Sequence, residues 1–301
     1  MNNGPIRIKA YAKLNLTLEI RGQRPDGYHE IRSVVQTISL ADEISVQPST
    51  TTGTRLRVQG YPVPGGDDNL VMAALRLAST RLGISRDLEI RLTKRIPPGR
   101  GLGGGSSDAA AILRALGCLY DWERDRDGLH AVAAETGSDV PLFLRGGLML
   151  VSGRGEKVER SSPPYPDYRL ALAWPELEVP TGLAYSLLEP ADYSEGLQTE
   201  RLWEYLQEGQ IPDPAGLTNC FERIVFLRWP PIADLHARMS ELAGVPARMT
   251  GSGSAVFAIT PRAEDAVAQL RAEGYEAFVA HPVEIGQELS CGRSVVGDNG
   301  C

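Results

Sequence analysis

From position 6 to position 20 every even residue is apolar: Ile6, Ile8, Ala10, Ala12, Leu14, Leu16, Leu18 and Ile20. The odd residues between them are Arg7, Lys9, Tyr11, Lys13, Asn15, Thr17 and Glu19. A period of two puts one set on each face of an extended chain, so the run predicts a strand, or a bent pair of strands, with one buried face. Pro25, Asp26 and Gly27 supply turn chemistry, and residues 31–38, 42–47 and 54–59 read as further strands. Asn69 can cap a helix running to about Leu82, with Leu70, Ala73, Ala74, Leu77 and Ala78 at helical spacing. Leu88, Ile90 and Leu92 alternate again, and that strand ends at Lys94 and Arg95. A glycine-rich loop follows, then an alanine-rich helix over 107–119, a helix over 129–135 and a strand over 142–151.

Three prolines among residues 161–166 suggest a boundary, dividing the chain into units 1–160 and 161–301. Beyond it the pattern predicts strands over 169–174, 254–260 and 275–280, and helices over 199–207, 232–243 and 263–273. Strands and helices mix without strict βαβ repetition, so the class is α+β. No internal repeat is visible, and the tail after Glu284 reads as frayed.

The length of 301 residues agrees with two domains, being about twice the ~150-residue prior for one. With 31 basic and 38 acidic residues the formal charge is −7, which gives no general attraction to nucleic acid or anionic membranes; a polyanion would need a local site. Neither nucleic acid nor membrane is therefore expected as a partner. Cys118, Cys220, Cys291 and Cys301 stand far apart, without a CxxC pair or clustered histidines, arguing against a zinc site or disulfide framework. Reduced thiols in a cytoplasmic, unexported protein are the expectation, because the N-terminus lacks a long apolar segment.

The segment Pro97-Pro98-Gly99-Arg100-Gly101-Leu102-Gly103-Gly104-Gly105-Ser106-Ser107 lies between a strand and a helix. Five glycines in seven positions remove Cβ atoms where backbone must approach a ligand, and the free N–H groups of the helix start favour an anion. It reads as a phosphate cradle; the alternative is a flexible turn with Ser106 or Ser107 as an ordinary N-cap. A Walker A loop fails for want of a Gly-Lys-Ser/Thr ending. Gly99, Gly101 and Gly104 do match a dinucleotide fingerprint, but the helix leaves no room for the second strand that would carry the ribose-binding acid.

The loop resembles the phosphate loop of the GHMP small-molecule kinases. Two further segments fit the same superfamily: Ala12-Lys13-Leu14-Asn15-Leu16 near the N-terminus and Met249-Thr250-Gly251-Ser252-Gly253-Ser254 as its third, glycine-rich motif. Residues 24–29 (Arg-Pro-Asp-Gly-Tyr-His) and 136–141 (Thr-Gly-Ser-Asp-Val-Pro) resemble the branch that phosphorylates a cytidine diphosphate alcohol in non-mevalonate isoprenoid synthesis. The matching order extends over about residues 6–260.

The resemblance implies an N-terminal domain of ribosomal-protein-S5-like topology and a C-terminal ferredoxin-like domain, with the site in the cleft between them. It implies ATP as phosphoryl donor to the 2-hydroxyl of a small-molecule cytidine diphosphate alcohol, Mg2+ arriving with the nucleotide, and a monomer or homodimer. Asp139 matches the family's base, although a turn acid at the surface is an equal reading of the bare sequence. Lys13 would hold charge beside it, or be a solvated strand lysine. Asn15 shares that face, two residues on. Tyr28 and His29 match the cytidine contacts, and Tyr185 an aromatic closing the other side of the base, or else a core ring. Lys94 is a candidate for nucleotide contact or a charge on an exposed edge. Asn69 lies in a segment resembling the adenine pocket, yet is equally a helix cap. Gly251 to Ser254 would bring backbone close to substrate or to the phosphate loop, or simply bend the chain into a strand. His130, His236 and His281 are scattered. Arg100 stands where the family has a small residue, and Cys220 where it has Asp. The metal ligands stay unassigned. Another GHMP kinase, for homoserine, mevalonate or a sugar, is the alternative; a nicotinamide-binding oxidoreductase and a binding module that has lost catalysis follow.

Overall fold

The computed structural model describes residues 5–83, 87–120, 126–161, 167–290 and 295–296. The alternating N-terminal run folds as β1 (Ile6–Asn15) and β2 (Thr17–Gln23), which lie end to end along one edge of β3 (His29–Pro48). The two strands expected over 31–38 and 42–47 are thus one, with a register irregularity opposite Tyr11 and Ala12. The chain continues through β4 (Arg55–Gly60), α1 (Leu70–Leu82), β5 (Leu88–Lys94), α2 (Gly104–Tyr120), α3 (Arg126–Thr136), α4 (Val140–Arg145), β6 (Leu148–Gly153) and β7 (Lys157–Ser161). The free edge of β3 takes β5 near its end and β6 near its start; β4 adds parallel to β5, and β7 antiparallel to β6.

Next come β8 (Leu170–Trp174), α5 (Thr181–Ser186), α6 (Leu197–Gln207), β9 (Thr218–Asn219), α7 (Glu222–Arg228), α8 (Pro230–Ala243), β10 (Arg248–Met249), β11 (Val256–Ile259), α9 (Ala263–Ala272) and β12 (Glu276–Ala280). A second, antiparallel sheet runs β10-β11-β8-β12. Its residues alternate between two cores: Ala171, Ala173, Val256 and Ala258 pack with Ile232, Leu235 and Leu270 of α8 and α9, while Leu170, Leu172 and Phe257 meet Ala12, Leu14 and Leu16 of the first sheet.

The even residues of β1 therefore feed two cores, Ile6, Ile8 and Ala10 packing with α1 and α2, and the later ones with the second sheet. The expectation of a single buried face needs correction beyond residue 10. Tyr11, Lys13, Asn15, Thr17 and Glu19 are all buried as well, because loops and helices close over the polar face there.

Three other readings change. Leu142, Phe143 and Leu144 are helical, since Pro141 sits in the first turn of α4 and Gly146 ends it; the strand begins only at Leu148. Helix α2 starts at Gly104, so Ser106 and Ser107 are first-turn residues and not N-caps. The tail is not frayed at 287–290: β13 (Gln287–Ser290) pairs antiparallel with β1, and β14 (Val295–Val296) with β13. Residues 162–166 of the expected boundary, and Cys291 and Cys301, lie outside the described residues. Cys118 and Cys220 are free thiols. Among the described residues no helix is long and apolar enough to cross a membrane.

Candidate active site

The glycine loop joins β5 to α2 and forms one wall of a cleft of about 1040 Å³. Two of its glycines are demanded by geometry. Gly101 has φ +76°, and a Cβ there would run into the Thr250 carbonyl. Gly103 has φ +72°, and its Cβ would lie 2.6 Å from Phe143 Cζ. L-residues seldom adopt this left-handed backbone, so only glycine satisfies both conformation and space. The loop is braced on two sides: the Lys13 N–H donates to the Leu102 carbonyl at 3.0 Å, and the Ala255 N–H to the Arg100 carbonyl at 3.3 Å. The third glycine segment thus reaches the phosphate loop, as one of its two sequence readings has it. Gly104, Gly105 and Ser106 of the first turn of α2 line the cleft, and the free N–H groups of a helix start favour an anion.

Of the residues singled out from sequence, Lys13, Asn15, Tyr28, His29, Asn69, Lys94, Asp139, Tyr185 and the whole of 97–106 line this one cleft. Ser107 does not; its hydroxyl is turned inward and donates to the Tyr11 carbonyl at 2.7 Å. Among the described residues α2 is followed by α3, without the parallel strand that a dinucleotide-binding unit requires there.

Lys13 is 5% exposed and donates from Nζ to Asn15 Oδ1 at 2.6 Å. Asn15 is itself fixed, its N–H donating to Thr250 Oγ1 at 2.9 Å and its Nδ2 to Ser33 Oγ at 2.8 Å. Burial pushes the Lys13 ammonium down from its ordinary value, and the Asp139 carboxylate pulls it back up. Asp139 stands at the N-cap position of α4, yet its side chain makes no capping bond, which leaves the carboxylate facing the cleft. Burial and that same carboxylate push the Tyr185 phenol up.

At the other end of the cleft the His29 and Tyr185 rings lie 5.2 Å apart at 37°. Tyr185 meets Phe221 edge-on at 4.9 Å, and His29 meets Tyr193 at 6.1 Å. Burial holds His29 below its ordinary value, in the neutral form that can both donate and accept. Tyr28 stays 55% exposed, with the Arg154 guanidinium 4.8 Å above its ring.

Lys94 is buried, not on an exposed edge. Its ammonium bonds Asp42 and, at 2.8 Å, Asp108 Oδ2, beneath the start of α2. Burial alone would lower Lys94; the two carboxylates outweigh it and raise it. Burial pushes Asp108 well up despite Lys94. Asn69 fulfils the capping role, accepting from the Val71 N–H at 2.9 Å, while also facing the cleft. Arg100 turns its guanidinium 3.7 Å from Glu178, with Nε and Nη1 buried and lacking hydrogen-bond partners.

Sequence reasoning missed Phe221, Tyr193, Arg154 and Asn219. Asn219 Nδ2 donates to the carbonyls of Met249 at 2.7 Å and Gly251 at 2.9 Å, tying the third glycine segment to α7. Nothing in the local pattern marks it out, since Thr218, Glu222 and Arg223 around it are polar as well. Burial pushes the neighbouring Cys220 thiol up to about 12, so it is inert at neutral pH.

The family model for the GHMP kinases N terminal domain matches residues 69–147, and that for the GHMP kinases C terminal matches 204–276. A 4-diphosphocytidyl-2-C-methyl-D-erythritol kinase of Pelotomaculum thermopropionicum is 38% identical over 87% of this chain and 91% of its own. A crystal structure of 4-(cytidine 5'-diphospho)-2C-methyl-D-erythritol kinase superposes with TM-score 0.78 at 37% identity, over 92% of this chain and 98% of its own. A homoserine kinase from Cytophaga hutchinsonii, at TM-score 0.71 and 19% identity over 95% and 97% of the two chains, shares the fold. With both family models, the cleft and its glycine loop in agreement, the chain belongs to the GHMP kinases, in the family of the 4-diphosphocytidyl-2-C-methyl-D-erythritol kinases.

Proposed function

We propose that this kinase transfers the γ-phosphoryl group of ATP to the 2-hydroxyl of 4-diphosphocytidyl-2-C-methyl-D-erythritol, giving the 2-phosphate and ADP. The observation that carries the reading is the shared cleft: Lys13 and Asp139, the bare-backbone loop and the His29–Tyr185 ring pair line a single cavity. Asp139 accepts the hydroxyl proton as the oxygen attacks phosphorus and the bond to the ADP oxygen breaks. Lys13 orients Asp139 by charge and stabilises charge on the transferring group. The loop N–H groups and the α2 terminus hold the ATP phosphates, while Asn69 lies toward the adenine. His29 and Tyr185 frame the cytosine, with Asn15 and Tyr28 beside the substrate.

The Ser106 hydroxyl and the Asp139 carboxylate are hard oxygen donors on the cleft wall, a set that suits Mg2+ carried in on phosphate oxygens and water. Once bound, the ion would neutralise phosphate charge. The units 1–160 and 161–301 are read as the two domains flanking the cleft.

The test is a coupled assay of ADP release across the cytidine diphosphate alcohol, homoserine and mevalonate, with the product identified by phosphorus NMR. Turnover confined to the cytidine compound and a new 2-phosphate resonance are expected. Preference for an acceptor without cytidine would overturn the reading.

A further inference from the structure

A second cavity, lined by arginines, lies outside the cleft. The β13-β1-β3-β5-β4 part of the first sheet buries Ile8, Ile44 and Leu92 in the core shared with α1 and α2. The opposite face holds a separate cavity of about 500 Å³. Directly paired residues point to one face, and the register sets Ser290, Arg7, Ser45, Arg91 and Arg57 in a single row across five strands. Arg91 and Arg57 are immediate neighbours on parallel strands, about 4.8 Å apart; Arg7 to Arg57 is three strand spacings, roughly 14 Å.

Like charges so placed repel. Among the described residues no ion pair engages Arg7, Arg57 or Arg91, and all three are exposed. The carboxylates around them are committed elsewhere. Glu288 pairs with Lys9 at 2.9 Å, Glu43 with Arg95 at 2.8 Å, and Glu89 accepts from Gln47 at 3.0 Å. Like-charged neighbours in a chain of net charge −7 make a local positive patch that an anion would neutralise.

We propose that this row binds a small phosphorylated anion, specifically one bearing a diphosphate. Adjacent guanidinium forks suit phosphate oxygens bidentately. The row is one residue deep: Glu43 and Glu89 flank Arg91 on either side along the same face, so an extended polyanion or a lipid surface would run onto carboxylates. A compact ligand confined to the row meets arginine and serine first, with Lys9, Glu43, Gln59, Thr93 and Glu288 on the walls beyond it.

The probe is inorganic diphosphate, titrated calorimetrically into the full chain with the cleft saturated by a non-hydrolysable ATP analogue. One equivalent should bind, weakened roughly tenfold or more in Arg57→Gln and in Arg91→Gln, with turnover unchanged. Arg57→Lys, which keeps the charge and loses the fork, should fall between. Thermal melts of each variant separate loss of the site from loss of the fold. No binding with the cleft filled, or equal binding by all variants, overturns the proposal. So does retention on phosphatidylserine vesicles or oligonucleotide that diphosphate fails to displace. Failure of the cleft to take the analogue would count against the kinase reading alone, since the sheet-face variants can then be compared without it.

Discussion

The backbone N–H of Lys13 donates to the carbonyl of Leu102 at 3.0 Å, so the buried cation and the glycine loop rest on one support. Because β1 is laddered to β3 over its length, that support is rigid. A cation placed before the phosphoryl group arrives needs no reorganisation when charge develops, which is where such a group contributes most.

Asp139→Asn should lower kcat roughly 100-fold or more while leaving ATP affinity within a few-fold, since a base acts only in the transition state. Lys13→Met removes the charge and leaves Asn15 Oδ1 without its donor. It should also lower kcat. Burial pushes Lys13 below its ordinary 10.5, so the alkaline limb of kcat, where the amine loses its proton, should lie below that value. ADP-release kinetics against pH measure both.

Gly101→Ala forces a Cβ onto the Thr250 carbonyl at φ +76°. A loss of about 1–3 kcal/mol is expected for a non-glycine residue held there, with ATP affinity falling too because the loop must shift. Gly105→Ala is the control: it lies in α2, and its Cβ would meet only Leu70 Cδ1 at 3.4 Å. Thermal melts of the two variants should separate sharply.

These two predictions rest on residues that could be found from sequence, and the reason is physical. Clustered glycines and strict alternation are local signals, so the loop, β1 and α2 were legible before any coordinates. The burial of Lys13 and Asn15 was not, because it depends on a loop and a helix contributed from far along the chain. Phe143 sits in a helix, not a strand, since a short apolar run fits either and Pro141 decided between them. For Lys94 the sequence leaves nucleotide contact and an exposed-edge charge open, and hides its burial because its partners Asp42 and Asp108 are 52 and 14 residues away. Tyr193 and Asn219 act through contacts that no periodicity encodes.

The Asp42–Lys94–Asp108 cluster beneath α2 gives a stability prediction with a definite sign. Lys94→Met would leave two buried carboxylates without a cation, costing about 3–5 kcal/mol. Asp108 has its folded value raised above the ordinary 3.8, so its ionisation opposes folding. Its contribution is most favourable below that value and declines as pH rises toward the raised one. Asp108→Asn should remove this decline and leave a neutral Asp42–Lys94 pair. Urea unfolding at several pH values is the measurement; a variant whose pH dependence equals that of wild type would refute the assignment.

Tyr185→Leu should raise KM for the cytidine substrate roughly tenfold, the scale of one lost base-stacking contact, while KM for ATP holds. Tyr185→Phe keeps the ring beside His29 and Phe221 and should change little. With His29 held below 6.5 by burial, affinity for CDP should stay level above that pH and weaken only as the imidazole is protonated beneath it. Calorimetric titration of CDP across that range reads the effect.

Asn219→Asp tests whether the third glycine segment needs its tie to α7. The change is isosteric, and the retained oxygen can still accept from the Phe221 N–H at 3.0 Å. The amide that donated to Met249 and Gly251 becomes a carboxylate facing two carbonyl oxygens. Two lost donors and a buried charge should cost about 1–3 kcal/mol or more. Because Gly251 packs on Gly101 and Ser252 lines the cleft, ATP affinity should fall along with stability. A variant that melts early yet binds ATP as tightly as wild type at a temperature where it is folded would show that the segment supports the fold alone, and that the loop holds phosphate without its bracing.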